Sequence, residues 1–339
     1  MSPETTVLAS LNAGLRAALA ADERVIVLGE DVLDPYGGAF KVTRGLSTQF
    51  PDRVLTTPIS EAGIVAVATG LALRGFRPVV EIMFGDFLFL AGDQIVNHAA
   101  KYRAMFNDQV RVPLVIRTPA GGRRGYGPTH SQSLEKHFLG VPGLWVVAPH
   151  PLLDPGELLR QAIVDVDDPV LFVENKIGYG EPLRRGLPDY DVVRIVDATS
   201  PFPTVWLKPR AAPDGLLLCY GGMTPLSLDA ARILREREQL NLGLVVVSQL
   251  APTPSTHLEA VLREVAPSAI VTVEEAPAEG GWGAEMIATI EHIRDARRLG
   301  AIVYRRVGAK NAPIPSARAL EHEALPQVDD IVAAVLDCF

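Results

Sequence analysis

The chain has 339 residues, of which 48% are hydrophobic and 21% charged, a composition typical of globular proteins that excludes collagen, coiled coil and disorder. Its 40 acidic and 32 basic side chains give a net charge of −8, opposite in sign to a nucleic-acid-binding surface, so we expect no nucleic-acid partner. Two well-separated cysteines, Cys219 and Cys338, provide no disulfide framework, which is typical of a reducing compartment.

A membrane location is not indicated by the sequence. The apolar segment Ala62–Leu73 is bounded by Arg74 and is far shorter than the roughly 20 residues that a bilayer requires. The first residues carry acidic Glu4 and no basic leader, so neither a signal peptide nor a transit peptide is predicted. We therefore expect a cytoplasmic protein with no membrane partner.

Strand-length apolar runs alternate with longer helical patterns in the first half of the chain, which predicts parallel α/β units. The predicted strands are Val25–Leu28, Val79–Ile82, Val112–Ile116, Leu144–Ala148 and Val170–Val173. The predicted helices are Thr6–Ala20, Glu61–Leu73, Phe89–Phe106 and Pro155–Val164. Together they predict a first domain over residues 1–185.

A segment rich in proline, glycine and charge follows, and we predict an inter-domain linker over residues 186–213. Alternation then resumes in a second, smaller α/β domain over residues 214–339. Its predicted strands are Gly215–Cys219, Leu242–Val247, Ala269–Val273 and Ala301–Tyr304, and its predicted helices are Pro225–Glu238, His257–Glu264, Gly283–Ile293 and Val328–Leu336.

Glu61 is the first candidate functional residue. The segment Thr57–Gly63 predicts the end of a strand, then Ser60 as the helix N-cap and Glu61 in the first turn. The helix dipole favours an acid there by about 0.3–1 kcal/mol, which explains Glu61 without any function. Alternatively, a carboxyl at the start of an apolar helix that faces a subunit boundary is partly desolvated and suited to proton transfer.

His130 and Phe87 are further candidates. The glycine-rich segment Gly121–Gly127 matches neither the dinucleotide fingerprint nor the phosphate loop, but it leads into Thr129-His130-Ser131 after a predicted strand. Phe87 also follows a strand, where an aromatic ring either packs in the core or stacks on a heterocycle. The other histidines lack the spacing of zinc ligands and are expected at the surface or at helix caps.

Ten segments in order resemble the beta subunit of the decarboxylase component of 2-oxo acid dehydrogenase complexes, the transketolase-related family of pyruvate and branched-chain enzymes. They are Val25–Val32, Gly37–Leu46, Thr57–Gly63, Phe84–Phe87, Asp93–Arg103, Thr129–Ser133, Pro169–Asn175, Glu274–Glu285, Ala312–Pro315 and Val328–Val335. The resemblance implies a parallel-sheet domain that binds the pyrimidine of thiamine diphosphate and a transketolase C-terminal-like domain for subunit assembly.

The resemblance also implies roles for particular residues. Glu61 matches the glutamate that hydrogen-bonds a pyrimidine ring nitrogen, Phe87 packs against that ring, and Ile59 lies beside it. His130 matches a histidine on the substrate side of the cofactor, where it stabilises charge or transfers a proton. No metal ligand is expected in this chain, because the magnesium and the diphosphate are held by the alpha chain of the family.

Further partners and ions follow from the same resemblance. Two alpha and two beta chains would form the enzyme, which would decarboxylate a small 2-oxo acid and pass the acyl group to a lipoyl-bearing dihydrolipoyl acyltransferase. Family members often hold a structural potassium ion near the loop equivalent to Ala162–Asp168, and this chain has an extra residue there.

Two other interpretations remain open at this stage. A thiamine diphosphate-dependent carboligase or acyl-transfer component would use the same site with another acceptor, and the paired Arg123 and Arg124 favour a carboxylate-bearing or phosphorylated substrate. A non-catalytic scaffold would keep only the fold, which the presence of Glu61 and His130 disfavours. Which 2-oxo acid is used does not follow from the sequence, since one methylene changes binding by only about 1–3 kcal/mol.

Overall fold

The computed structural model describes residues 5–339, so residues 1–4, on which the prediction of no leader peptide partly rests, lie outside it. The chain forms two compact units. The first unit comprises the residues up to Gly121 together with Gln132–Leu183, and the second comprises Gly122–Ser131 together with Arg184–Phe339. The short segment Gly122–Ser131 therefore interrupts the first unit and belongs to the second.

The first unit is built on a parallel sheet. Its strands are β1 (Val25–Gly29), β2 (Val54–Thr56), β3 (Arg77–Glu81), β4 (Val115–Ala120), β5 (Trp145–Val147) and β6 (Val170–Asn175). They lie in the order β5-β6-β4-β3-β1-β2, and each neighbouring pair is parallel. Strands β1, β3 and β4 are buried along their whole length; β1 is apolar throughout, whereas β3 and β4 also bury the charged residues Arg77, Glu81 and Arg117.

Helices connect these strands. They are α1 (Val7–Ala21), α2 (Leu46–Gln49), α3 (Glu61–Leu73), α4 (Ala100–Met105) and α5 (Pro155–Val164), with 3₁₀ helices at Gly85–Ala91, Glu135–Phe138 and Gly178–Gly180 and a π-helix at Gln94–Ala99. Helices α3 and α5 have the predicted bounds. The helix predicted over Phe89–Phe106 is instead a succession of 3₁₀, π and α turns, because hydrophobic periodicity does not distinguish these hydrogen-bond patterns.

The strand order of the first unit places three chain segments at the same edge of the sheet. Strands β3, β1 and β2 are adjacent and parallel, so their carboxyl ends lie along the same edge. Glu30 directly follows β1, Glu61 follows β2 at the start of α3, and Phe87 follows β3 in the first 3₁₀ helix. Ligands of open α/β sheets bind at this edge.

The second unit contains a mixed sheet. The strands of this unit are β7 (Tyr190–Asp197), β8 (Ser200–Pro209), β9 (Gly215–Tyr220), β10 (Leu242–Val247), β11 (Gln249–Ala251), β12 (Ala269–Pro277) and β13 (Val303–Ala309), and all of them except β11 form this sheet. The sheet order is β13-β12-β9-β10-β8-β7, with β7 and β8 antiparallel to their neighbours. Its helices are α6 (Thr224–Ile233), α7 (Ser255–Val265), α8 (Trp282–Arg297), α9 (Arg318–Ala324) and α10 (Val328–Leu336), with a 3₁₀ helix at Gly221–Met223 and a π-helix at Leu234–Glu238.

The predicted linker over residues 186–213 is not a linker along most of its length. It contains the paired strands β7 and β8, which form one side of the second sheet. The prolines of β8 suggested an irregular segment, but Pro201, Pro203 and Pro209 all lie outside Thr204–Leu207, the stretch that pairs with β10. These prolines therefore withhold no donor from the ladder with β10, and Pro209 lies opposite Tyr190 at the end of the ladder with β7, where a missing donor is tolerated.

The prediction that the other histidines lie at the surface or at helix caps is wrong for two of them. His150 and His257 are buried, whereas both were expected at the surface or at helix caps. Burial lowers the pKa of His150 to about 3, so its ring is neutral in the core.

No helix within residues 5–339 has the length and apolar character needed to cross a bilayer.

A buried ion network joins the central strands of the first sheet. The Arg117 guanidinium on β4 donates two hydrogen bonds to Glu174 on β6, of 2.8 and 2.7 Å, and one of 2.7 Å to Glu81 on β3. The Tyr179 hydroxyl donates a further hydrogen bond of 2.6 Å to Glu174. Since every charge in the network has a partner, the network tolerates removal from water.

Glu174→Gln is expected to lower the free energy of unfolding by about 1–3 kcal/mol, because an amide cannot accept both Arg117 hydrogen bonds and leaves one buried guanidinium donor without its acceptor. Urea unfolding followed by circular dichroism measures this loss. Glu157→Gln removes an exposed partner of Arg160 in the same unit and is expected to change the unfolding midpoint only slightly. Equal losses in the two variants would contradict the structural importance of the network.

Candidate functional site

Glu61 is the first residue of α3, and its side chain is buried at the sheet edge described above. Ser60 occupies the N-cap position as predicted, but its side chain makes no capping hydrogen bond. Among residues 5–339, no side chain or backbone amide donates a hydrogen bond to the Glu61 carboxylate, and no basic side chain forms an ion pair with it. A buried carboxyl group without a donor in its own chain is suited to an external donor.

Glu30 lies near Glu61 and was not found by sequence reasoning. Its Oε1 atom is buried and has no hydrogen-bond partner in the described chain. Burial, and then the negative charges of Glu61 and Asp31, raise the pKa of Glu30. Two neighbouring carboxyl groups at one sheet edge therefore favour a retained proton.

Phe87 lies in the 3₁₀ helix that packs against α3, and it is half-buried. Its ring meets Phe84 edge-on with centroids 5.7 Å apart, and Phe84 meets Phe40 at the same distance. The ring of Phe40 in turn lies 5.4 Å from that of Tyr179. Phe87 is thus the outer member of an aromatic cluster that extends to the buried ion network.

Ile59 lies two residues before Glu61 and is 83% exposed, the largest exposed fraction among the big hydrophobic side chains of the described residues. Such exposure has an energetic cost in an isolated chain, because each apolar side chain gains about 1.5–3 kcal/mol from burial. The position of Ile59 beside a buried carboxyl group fits a surface that a ligand or another chain covers.

His130 is placed in the second unit, in the segment Gly122–Ser131, whereas Ile59, Glu61 and Phe87 are in the first. Its Nδ1 atom lies 3.0 Å from the Thr129 hydroxyl, and its backbone amide donates to the carbonyl of Gly127 over 3.3 Å. The segment has no regular secondary structure, so its conformation depends on such local contacts.

Arg123 has a different role from the one its sequence context suggested. Its Nη2 atom donates a hydrogen bond of 2.6 Å to the Pro326 carbonyl, and its Nη1 atom lies 3.4 Å from the Gln327 amide oxygen. Its guanidinium is therefore engaged within the second unit. Because its Nη1 and Nη2 atoms contact these groups, Arg123 does not support the prediction of an anionic substrate that was made from the Arg123–Arg124 pair.

The family resemblance implies a potassium ion near the loop Ala162–Asp168, but this loop instead binds the side chain of Arg77 from β3. The buried Arg77 donates from Nη1 to the carbonyls of Ile163 and Val166, both over 3.0 Å, and from Nη2 to Asp167 over 2.6 Å. Because the Arg77 guanidinium already occupies these oxygen acceptors, they do not fit a potassium ion.

The raised pKa of Glu30 predicts a pH-dependent effect of Glu30→Gln. The pKa of Glu30 is higher in the folded chain than its ordinary value of 4.5. The free energy of unfolding therefore falls as the pH rises from 4.5 through the pKa of the folded chain, because a costly buried charge forms. The variant removes this cost. Its melting temperature relative to the unchanged chain should therefore rise as the pH increases above 4.5.

The exposed Glu23→Gln variant serves as the control and should show no such rise. Differential scanning calorimetry across this range measures both differences. A pH-independent difference for Glu30→Gln would contradict the electrostatic interpretation.

Comparison with known proteins places both units in one family. A family model of the transketolase pyrimidine-binding domain matches residues 4–181, and one of the transketolase C-terminal domain matches residues 205–331. Among solved structures, a split-gene transketolase described as an inactive beta4 tetramer has a TM-score of 0.71 at 19% identity, covering 99% of this chain and 98% of that one. Transketolase from Campylobacter jejuni has a TM-score of 0.72 at 16% identity, covering 99% and 47%. These two structures show the shared fold.

Curated relatives are more similar in sequence. The beta subunit of the pyruvate dehydrogenase E1 component from Leifsonia xyli is 39% identical over 329 residues, covering 96% of this chain and 92% of the relative. The mitochondrial beta-2 subunit from Oryza sativa is 37% identical and covers 98% and 85%. The beta subunit of 3-methyl-2-oxobutanoate dehydrogenase from Mycobacterium tuberculosis is 36% identical and covers 98% and 90%. With its two transketolase-type domains, the chain belongs to the family of E1-component beta subunits of 2-oxo acid dehydrogenases.

Proposed function

We propose that this chain is the beta subunit of a thiamine diphosphate-dependent 2-oxo acid dehydrogenase that acts on pyruvate or a branched-chain 2-oxo acid. The observation that carries the proposal is the buried carboxyl group of Glu61, which begins α3, lacks a donor in the described chain and matches the family glutamate. Thiamine diphosphate, when bound, supplies the carbanion that adds to the 2-oxo carbon and accepts the electron pair released with carbon dioxide.

Glu61 would share a proton with a nitrogen of the cofactor's pyrimidine ring. The nearby Glu30 supports this role, because burial and the negative charge of Glu61 raise the pKa of Glu30 and so favour a proton on Glu30, beside Glu61. Burial strengthens the resulting hydrogen bond by excluding water.

Phe87 and Ile59 would hold the pyrimidine ring by apolar contact. The contact of Phe87 with Phe84 limits the orientation of the Phe87 ring before any ligand arrives. The large exposed surface of Ile59 gains most from being covered. His130 would act on the substrate as a hydrogen-bond donor or proton carrier, because the two ring nitrogens of an imidazole can donate and accept a hydrogen bond.

An alpha subunit would cover the exposed face of α3. This face contains Ala66, Val67, Gly70 and Leu73, the helix has no charged side chain after Glu61, and a Cβ atom at Gly70 would meet nothing within 4 Å. Exposed small and apolar residues on one helix face are typical of close helix packing between subunits. Glu61 begins the same helix, which supports a cofactor site at a subunit boundary.

The remaining assignments belong to the same proposal. Two alpha and two beta chains would form the enzyme, with the magnesium and diphosphate held by the alpha chain. The acyl group would pass to the lipoyl group of a dihydrolipoyl acyltransferase. A cytoplasmic location is supported by two free cysteines, one of them buried.

Glu61→Gln is expected to lower the turnover of the complex with its alpha subunit by about 10²–10⁴-fold, because the amide does not carry the acidic proton. Ferricyanide-coupled decarboxylation of a panel of 2-oxo acids measures the loss and identifies the substrate. Glu285→Gln, an exposed first-turn glutamate of α8, should leave turnover unchanged. If the unchanged complex bound the cofactor but turned over no 2-oxo acid, the carboligase interpretation would replace this one.

Val67→Asp is expected to prevent assembly with the alpha subunit, since it places a charge on the apolar face of α3 without disturbing the core. Native mass spectrometry of the two co-expressed chains measures the fraction assembled. Val196→Asp alters a similarly exposed valine on β7 and should assemble normally. Assembly of both variants would show that the alpha subunit binds another face.

A further inference from the structure

The two ends of the segment Gly122–Ser131 lie close together. The amide of Gly121, just before the segment, donates a hydrogen bond of 3.2 Å to the carbonyl of Gln132, just after it. The ten residues between them have no helix or strand of their own. Their conformation therefore depends on the groups that accept their backbone amides.

We propose that Glu321, on α9 of the second unit, is a positioning residue for His130. Both oxygens of its buried carboxylate accept backbone amides of this segment: Oε1 from Arg123 and Oε2 from Gly125, each over 2.8 Å. Hydrogen bonds to a carboxylate are about twice as strong as neutral ones. One side chain thus fixes two amides that are two residues apart.

A second carboxylate extends this contact. Glu275 on β12 accepts the amide of Gly122 over 2.6 Å. The preceding residue, Glu274, accepts the amides of Trp282 and Gly283 at the start of α8, over 2.8 and 2.9 Å. These two adjacent carboxylates therefore bind a helix start and the His130 segment, respectively.

The backbone of the segment is shaped for these acceptors. Arg123, Gly125 and Gly127 have φ angles of +73°, +71° and +78°, and successive amides in such conformations converge on an anion. A Cβ atom at Gly122 would lie 2.7 Å from a methyl carbon of Leu325, next to the Glu321 helix. The protein supplies the anion itself, in the form of a carboxylate.

The hydrogen-bonded region continues to His130. Gly127 lies two residues after Gly125, and its carbonyl accepts the amide of His130. Thr129 contacts the His130 ring at Nδ1. The orientation of the imidazole therefore depends on the backbone that Glu321 holds, although Glu321 is 191 positions away in the sequence.

The inference rests on the proposed function, because positioning matters only if His130 acts in catalysis. The test uses the assembled complex with its alpha subunit and four beta-chain forms: unchanged, Glu321→Gln, His130→Ala and the double variant. Glu321→Gln replaces one acceptor oxygen by a donor, so it repels one amide while preserving side-chain volume. Glu323→Gln, exposed on the same helix, is the matched control.

We expect Glu321→Gln to lower kcat by about 10–100-fold, because a displacement of about 1 Å costs up to that much. Thiamine diphosphate affinity should be unchanged, since Ile59, Glu61 and Phe87 are in the first unit. The double variant should be no slower than His130→Ala alone. Amide exchange of the peptide 119–133, measured by mass spectrometry, should accelerate in Glu321→Gln and remain unchanged in Glu323→Gln.

Unchanged exchange in Glu321→Gln, or kcat losses that multiply in the double variant, would overturn the positioning role while leaving the proposed function intact. A normal turnover in His130→Ala would also overturn it. Failure of the unchanged complex to decarboxylate any 2-oxo acid would instead reject the proposed function, and the exchange measurement alone would then decide whether Glu321 holds the segment.

Discussion

Removing a carboxylate from water is costly unless donors replace the lost solvent, and the buried glutamates of this chain divide sharply on this point. Glu174 receives the Arg117 guanidinium, and Glu274 and Glu321 each receive two backbone amides. Glu30 and Glu61 differ, because the described chain provides no donor to Glu30 Oε1 or to the Glu61 carboxylate. The satisfied glutamates hold the architecture, whereas Glu30 and Glu61 follow the carboxyl ends of β1 and β2, where an external ligand is expected.

Much of the fold follows from local sequence patterns. Helices α3, α5 and α10 and strand β10 have the predicted bounds, because apolar periodicity and end signals coincide there. Strands β7 and β8 were missed, since their prolines and charges resemble a linker and only the pairing with β10 reveals a strand. That pairing is long-range information, which local composition does not contain.

The candidate site was predicted unevenly for a similar reason. Glu61, Phe87 and His130 were identified because their surrounding motifs resemble a family, and their roles remain proposals. Glu30 is a single acid after an apolar strand, and nothing in its local sequence indicates that it lies near Glu61. Glu321 is still more distant from the loop it binds, so only the folded chain reveals the contact.

The membership of Gly122–Ser131 in the second unit has a consequence for protein engineering. A chimera that joins the first unit of one relative to the second unit of another at a single crossover, near Leu183, would separate this segment from the carboxylates that bind it in its own chain. A functional exchange would need two crossovers, so that the short segment moves together with the C-terminal half. The smallest exchangeable module of this protein is therefore discontinuous in sequence.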